Sequence, residues 1–209
     1  MSPLLHSARF FITAADLAGL PRTGLPEVAF VGRSNAGKST CINALTQHRQ
    51  LAFASKTPGR TQQINFFAVG LKGQDTGYLV DLPGYGYAAV SRQEKQRWQA
   101  FIGEYLHSRA PLQGLILITD SRIGLTPLDL ALLDLMREQP HPVHVLVAKS
   151  DKLSQREKQA ALRAAEQALG DYLADHASAF ELSVQLFSAT RHEGLDDLTH
   201  LIEGWLGAA

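Results

Sequence analysis

The sequence predicts an α/β domain of three layers, with a mostly parallel sheet held between helices. Three observations predict it. Strand-like and helical segments alternate almost from end to end. Two runs, "GLILITD" (114–120) and "VHVLVAKSD" (143–151), are unbroken apolar stretches of strand length, as strands covered on both faces require. Each polar signature with chemical potential also follows a strand directly, where parallel sheets bind ligands.

"RFFIT" (9–13) reads as a short edge strand, with a turn across Pro21 to Pro26; residues 1–26 are expected to form an extension packed on a domain of residues 27–209. "EVAFV" (27–31) is a buried strand running into a glycine loop, and "KSTCINALT" (38–46) is a helix. "QINFFAVG" (63–70) and "GYLVDL" (77–82) form a hairpin pair around the Gly and Asp of "GLKGQDTG". In residues 92–109, Trp98, Phe101, Ile102 and Tyr105 share one helical face. "TPLDLALLDLMREQ" (126–139) opens with Thr then Pro, a favourable helix start. "SQREKQAALRAAEQALG" (154–170) is a surface helix with a serine cap and a terminal glycine. "VQLFSAT" (184–190) supplies the last strand and "LDDLTHLIEGWL" (195–206) the last helix.

With 209 residues, 45% hydrophobic and 19% charged, the chain has the make-up of one ordinary globular domain. Its single cysteine, Cys41, excludes an internal disulfide and suits a reducing cytoplasm. No apolar run approaches the roughly 18 residues that cross a bilayer. The N-terminus lacks the basic start of a signal peptide. The expected location is therefore cytoplasmic, without a membrane partner. A net charge of zero conceals an asymmetry: residues 1–111 hold twelve Lys and Arg against six Asp and Glu, and residues 112–209 hold eight against fourteen. No carboxylate occurs between Glu27 and Asp75, where Arg33, Lys38, Arg49, Lys56, Arg60 and Lys72 all fall. A surface facing polyphosphate sheds acids in this way.

"GRSNAGKS", Gly32, Arg33, Ser34, Asn35, Ala36, Gly37, Lys38 and Ser39, matches G-x-x-x-x-G-K-S between a strand and a helix. Its glycines let backbone N–H groups close round a β-phosphate, and the helix N-terminus adds its positive end. Lys38 would neutralise the β- and γ-phosphates, and Ser39 would ligate Mg²⁺. Asp81, at the end of a strand, would hold a magnesium-bound water, and the N–H of Gly84 would approach the γ-phosphate. In "AKSD" (148–151), Asp151 can accept from both N1–H and the 2-amino group of guanine, a donor pair adenine lacks. The stem of Lys149 would lie over the base. In "SAT", after Ser188, the N–H of Ala189 would face guanine O6. "SKTPGRTQ" (55–62) offers Thr57 and Thr61 for a residue closing over γ-phosphate and Mg²⁺. Thr61 is chosen because it stands nearer the next strand, with Gly59 and Arg60 beside it in the nucleotide-binding loop.

"PEVAFVGRSNAGKST", "TPGRTQQINFF", "DLPGYGYA", "AKSD" and "FSAT" together resemble the EngB (YihA) family of bacterial GTPases, within the branch that includes TrmE, Era, EngA and septin-like proteins. The likeness spans about residues 26 to 206. It implies a Ras-like P-loop GTPase domain that binds GTP or GDP with Mg²⁺. It also implies a role in late assembly of the large ribosomal subunit, with rRNA and ribosomal proteins as partners, and in normal cell division and septation. A monomer is expected. One residue differs from many GTPases at large, and another departs from the family's own pattern. Tyr85 stands where many GTPases carry the glutamine that orients water, so intrinsic hydrolysis is expected to be slow. Ala148 replaces the Asn or Thr that ties this loop to the phosphate loop, a loss of roughly 0.5–1.5 kcal/mol. Some GTPases of this branch use a potassium ion held partly by an asparagine of the phosphate loop. Asn35 occupies that position, and is open between this role and hydrogen bonding within its own loop.

A nucleotide kinase or other ATP-using enzyme shares such a phosphate loop, but no arginine-rich lid is evident and Asp151 selects guanine. Tyr85 and Ala148 also admit a non-hydrolysing, GTP-bound scaffold. The eight histidines show no metal-ligand spacing. Cys41, Trp98 and Trp205 are expected in the core. Arg92, Lys95, Arg97 and Arg109 form either a basic face or a solvated helix surface.

Overall fold

The structure is a computed structural model that describes residues 2–53, 63–86, 92–137, 139–176 and 181–207. After a one-turn helix, α1 (Pro3–His6), come β1 (Arg9–Ala14) and β2 (Glu27–Gly32). They are followed by α2 (Lys38–Thr46), β3 (Ile64–Leu71), β4 (Gln74–Asp81), α3 (Arg92–Ser108), β5 (Leu112–Asp120) and α4 (Pro127–Met136). The chain ends with β6 (Val143–Ala148), α5 (Gln155–Asp175), β7 (Leu182–Phe187) and α6 (Leu195–Trp205). The strands form one sheet in the order β1-β3-β4-β2-β5-β6-β7. Strands β4, β2, β5, β6 and β7 run parallel, while β3 is antiparallel to both β4 and β1.

The apolar pattern explains the order. β2 is buried at all six positions, so it must lie between strands and under helices on both sides. Alternate residues serve the two layers: Ala29 and Val31 join a core with Trp98, Ile102 and Tyr105 of α3, Leu133 of α4 and Leu169 of α5. Val28 and Phe30 join Leu5 of α1, Cys41 and Ile42 of α2, and Ile202 of α6 in the other. Because β4 and β5 flank β2 on opposite sides, the chain reverses its direction of winding there. The crevice beyond the carboxyl end of β2 is thus the place where such a sheet binds ligands.

Several boundaries differ from expectation for physical reasons. The hairpin turn is the two-residue Lys72–Gly73, with φ of 54° and 79°, so β4 begins at Gln74 and not at Gly77. Left-handed values at both turn positions match the twist of the flanking strands; Gln74 and Asp75 look loop-like only because that end of the strand is exposed. Gly170 does not end α5, which continues to Asp175. Leu169 and Tyr172 on either side are both buried, and their packing outweighs a glycine cost of about 1 kcal/mol. The one-turn α1 carries no periodic signal; Ser2 caps it, accepting from the N–H of Leu5, and Leu4 and Leu5 are buried.

The far end of the sheet holds a polar node. Glu27 is wholly buried; it accepts from Arg109 Nε at 2.9 and 3.0 Å, from Arg109 Nη2, and from the Tyr105 hydroxyl at 2.9 Å. Arg109 is therefore a structural cation and not part of a basic face. The acid-free stretch is likewise not one surface. Lys72 sits in the turn at the opposite end of β4 from Asp81, and Arg49 follows the far end of α2. Cys41 is buried, as is Trp98. Trp205 is half-buried and lies against Gly114, where any Cβ would overlap the indole. Among the described residues, no helix is long and apolar enough to cross a membrane.

Candidate functional site

Gly32 to Ser39 leaves the end of β2 and enters α2. The glycine at the start of this loop is required by proximity, since a Cβ on Gly32 would overlap the carbonyl oxygen of Ile118. Two residues take left-handed backbone, Asn35 (φ 65°) and Gly37 (φ 118°), and so turn the loop into the first turn of α2. The segment after β4 continues the sheet pairing beyond its end. Ser34 donates its N–H to the carbonyl of Tyr85 at 2.8 Å, and Arg33 and Tyr85 form a parallel bridge. Gly84 is consequently packed on the loop: a Cβ there would stand 3.3 Å from both Gly32 O and Ser34 Oγ. Lys38 donates to the nearly buried carboxylate of Asp81. Ser39 occupies the next helical position.

The base-side loop meets the same crevice. Lys149 adopts φ 62° and donates its ammonium to the carbonyl of Asn35 at 2.5 Å and to Asp120 Oδ2 at 3.0 Å. Ala148 is buried, and a Cβ on Gly37 would lie 3.9 Å from its own. The tie between the two loops that Ala148 cannot make is thus made by its neighbour. Ser121 adds two bonds, from its N–H to Ala148 O at 2.8 Å and from its hydroxyl to Lys149 O at 3.1 Å. Asp151 accepts from Ser188 Oγ at 2.8 Å, which joins the loop after β6 to that after β7; Ala189 follows. The Ser188 hydroxyl holds the Asp151 carboxyl below the usual carboxylate range.

Gly59, Arg60 and Thr61, like Thr57 and Lys56, lie outside the described residues. The exposed side chain of Asn35 makes no hydrogen bond to its own loop among the described residues. Tyr85 is placed unlike a water-orienting residue. Its ring is buried against Trp98, with centroids 5.1 Å apart, and its hydroxyl donates to the buried Asp129 of α4. Burial, reinforced by that carboxylate, pushes the phenol well above its ordinary pKa.

Sequence reasoning missed Asp120. It ends β5 and accepts a two-pronged contact from Arg122, Nε to Oδ1 at 2.9 Å and Nη2 to Oδ2 at 2.6 Å, besides Lys149. These cations, Arg122 foremost, hold its carboxyl far below the usual range. The available signal was an acid at the carboxyl end of a buried strand with an arginine two residues on. Glu193 was missed as well; its carboxylate accepts from Ser150 Oγ at 2.6 Å and Lys158 Nζ at 2.7 Å.

A glycine loop between β2 and α2, flanked by loops from β4, β6 and β7, defines a P-loop nucleotide-binding protein. A family model described as "50S ribosome-binding GTPase" matches residues 27–149. The chain is 50% identical over 206 residues to a probable GTP-binding protein EngB of Paraburkholderia phytofirmans, covering 99% of this chain and 94% of that one. It is also 50% identical over 209 residues to the corresponding protein of Burkholderia thailandensis, covering 100% and 95%. Among solved structures, a probable GTP-binding protein EngB superposes with a TM-score of 0.62 at 20% identity, over 88% of this chain and all of that one. A variant of Aquifex aeolicus Era bound to GDP and aluminium fluoride superposes at 0.65 and 20% identity, over 87% and 56%; at such identities the likeness carries the fold alone. The chain belongs to the EngB family of GTP-binding proteins, a family of P-loop GTPases.

Proposed function

We propose that this chain is a slow, GTP-driven switch that assists late assembly of the large ribosomal subunit in the cytoplasm, as a monomer, and is needed for normal cell division and septation. The observation that supports it most is the convergence of four loops on one crevice: Gly32 to Ser39, Asp81 to Gly84, Ala148 to Asp151, and Ser188 to Ala189. In this reading Lys38 and the loop amides hold the β- and γ-phosphates, and Gly84 senses the γ-phosphate. Asp151 and the Ala189 amide read guanine, beneath the stem of Lys149. Thr61, with Gly59 and Arg60, closes from the loop before β3.

The residues fit a magnesium ion carried with the nucleotide. Ser39 and Asp81 offer hard oxygen ligands, and among the described residues no cluster of three His, Cys, Asp or Glu offers a cage made of protein alone. When bound, the ion would neutralise phosphate charge. Asn35 would help hold K⁺, whose charge would offset that developing on the phosphates, a stimulus suited to a site whose Tyr85 is engaged elsewhere. Hydrolysis is expected to be faster in K⁺ than in Na⁺, and Asn35→Ala to remove the difference. Co-sedimentation with ribosomal subunits tests the larger reading. Binding with a non-hydrolysable GTP analogue should exceed binding with GDP or no nucleotide, and should weaken as salt rises. Equal binding in the three states would remove the switch.

A further inference from the structure

We propose that Glu193, held by Lys158, is a positioning residue that sets the spacing of the two base-side loops and thereby the discrimination for guanine. The inference rests on the reading of Asp151 as the base acceptor. Its observation is a closed ring of contacts. Asp151 accepts from Ser188 Oγ at 2.8 Å. Ser188 donates its N–H to the carbonyl of Glu193 at 3.0 Å, which closes a bridge between those two residues. The Glu193 carboxylate accepts from Ser150 Oγ at 2.6 Å, and Ser150 adjoins Asp151 in the chain. The two base-side loops are therefore joined at two points, Ser188 to Asp151 and Ser150 to Glu193, and the backbone bridge between Ser188 and Glu193 closes the ring within the loop after β7.

An ordinary ion pair across a protein surface would do less. Here one oxygen, Oε2, receives both the ammonium of Lys158 and the hydroxyl of Ser150. Ser150 has no solvent exposure, so in the folded protein its hydroxyl is directed to this carboxylate and not to water. Lys158 lies on the first turns of α5, whose serine cap and Glu157 fix that end of the helix. The ammonium thus anchors Glu193 to a rigid element, and Glu193 passes that position to Ser150 and Ser188. The remaining contacts of the Ser188 hydroxyl, with Thr190 Oγ1 at 3.1 Å and the Arg191 N–H at 3.2 Å, stay within its own loop and do not join the two.

The chemistry makes the effect readable. Guanine presents two adjacent donors to a carboxylate, N1–H and the 2-amino group, whereas hypoxanthine presents only N1–H. A well-placed Asp151 gains from both donors. A loosened Asp151 keeps one contact and loses the advantage of the second. Disturbing Glu193 should therefore lower the preference for GDP over IDP, whereas a change on the phosphate side would weaken both alike.

The test is the ratio of IDP to GDP dissociation constants, with melting temperature measured alongside, for the full chain and for Glu193→Ala, Glu193→Gln, Lys158→Ala and Asp151→Asn. Glu193→Ala should lower the preference for GDP by about fivefold, the scale of one hydrogen bond to a buried group left unmade. Glu193→Gln keeps an acceptor for Ser150 and should retain most of it. Lys158→Ala should lie between, and should add little when combined with Glu193→Ala, because the two act as one unit. An unchanged IDP-to-GDP ratio in folded Glu193→Ala overturns the inference. If that variant does not fold, Ser150→Ala carries the same test: a reduced ratio supports the inference and an unchanged one overturns it. Loss of GDP preference in Asp151→Asn with a flat response at Glu193 removes only the positioning role. No effect of Asp151→Asn removes the base-pocket reading itself.

Discussion

Replacing Tyr85 by phenylalanine separates a structural tyrosine from a chemical one. The wild-type hydroxyl donates to Asp129 Oδ1, while Oδ2 of the same buried carboxylate accepts from the Thr126 N–H at 2.7 Å and the Thr126 hydroxyl at 2.6 Å. Tyr85→Phe keeps the ring against Trp98 and leaves Oδ1 without that donor. The expected cost is about 1–3 kcal/mol, a fall in Tm of about 2–12 °C for a chain of this length. Tyr85→Ala also removes the ring, for a total of about 4–8 kcal/mol. That is comparable with the whole stability of a typical domain, so the alanine variant reports unfolding and not catalysis. Thermal unfolding by circular dichroism and single-turnover GTP hydrolysis on Tyr85→Phe check the argument together. A lowered Tm with a hydrolysis rate within about twofold of wild type is expected, since a phenol engaged by Asp129 gives none of the acid–base help worth about a hundredfold or more. A rate lowered about a hundredfold at unchanged Tm would refute it.

Two further outcomes follow from charged groups. Arg109→Ala strands the Glu27 carboxylate with the Tyr105 hydroxyl, and should cost about 3–5 kcal/mol in urea unfolding; a loss under about 1 kcal/mol would contradict the buried pair. The Asp120 carboxyl is held below its ordinary range by Arg122 and Lys149, so its contribution to stability is complete above the unfolded pKa of about 3.9 and is lost as pH falls from there towards the folded value. The Tm of the wild-type chain should therefore drop more steeply below about pH 4 than that of Asp120→Asn, with a constant difference above about pH 5; parallel curves would contradict the assignment.

The strands and the phosphate loop were legible in the sequence because each is dictated locally. β2, β5 and β6 are apolar without interruption, and Gly32, Gly37 and Lys38 keep fixed spacing between a strand and a helix. What the sequence concealed is held by contacts distant along the chain. Asp120 lies 29 residues before Lys149, and Ser150 lies 43 before Glu193; no period relates them. Tyr85 was misleading in a different way. Its position beside Gly84 invites comparison with a catalytic side chain, whereas its surroundings are made by Trp98 and Asp129, which only the packing of α3 and α4 brings near. Arg109 looked like one of several helix cations until the fold placed Glu27 beside it.

The two ends of β2 suggest why such distant contacts matter to the site. Glu27, its first residue, is clamped by Arg109 and Tyr105, and Gly32, its last, begins the phosphate loop under the carbonyl of Ile118. A strand fixed at one end and buried throughout cannot slide along its neighbours without breaking register with both β4 and β5, because a one-residue shift exchanges its Val28–Phe30 face for its Ala29–Val31 face. The phosphate loop is thereby held on a rigid stem. Damage at Glu27 should thus appear in stability, and damage at Glu193 in base choice. That division of effects is what a scaffold with its working loops at one end requires.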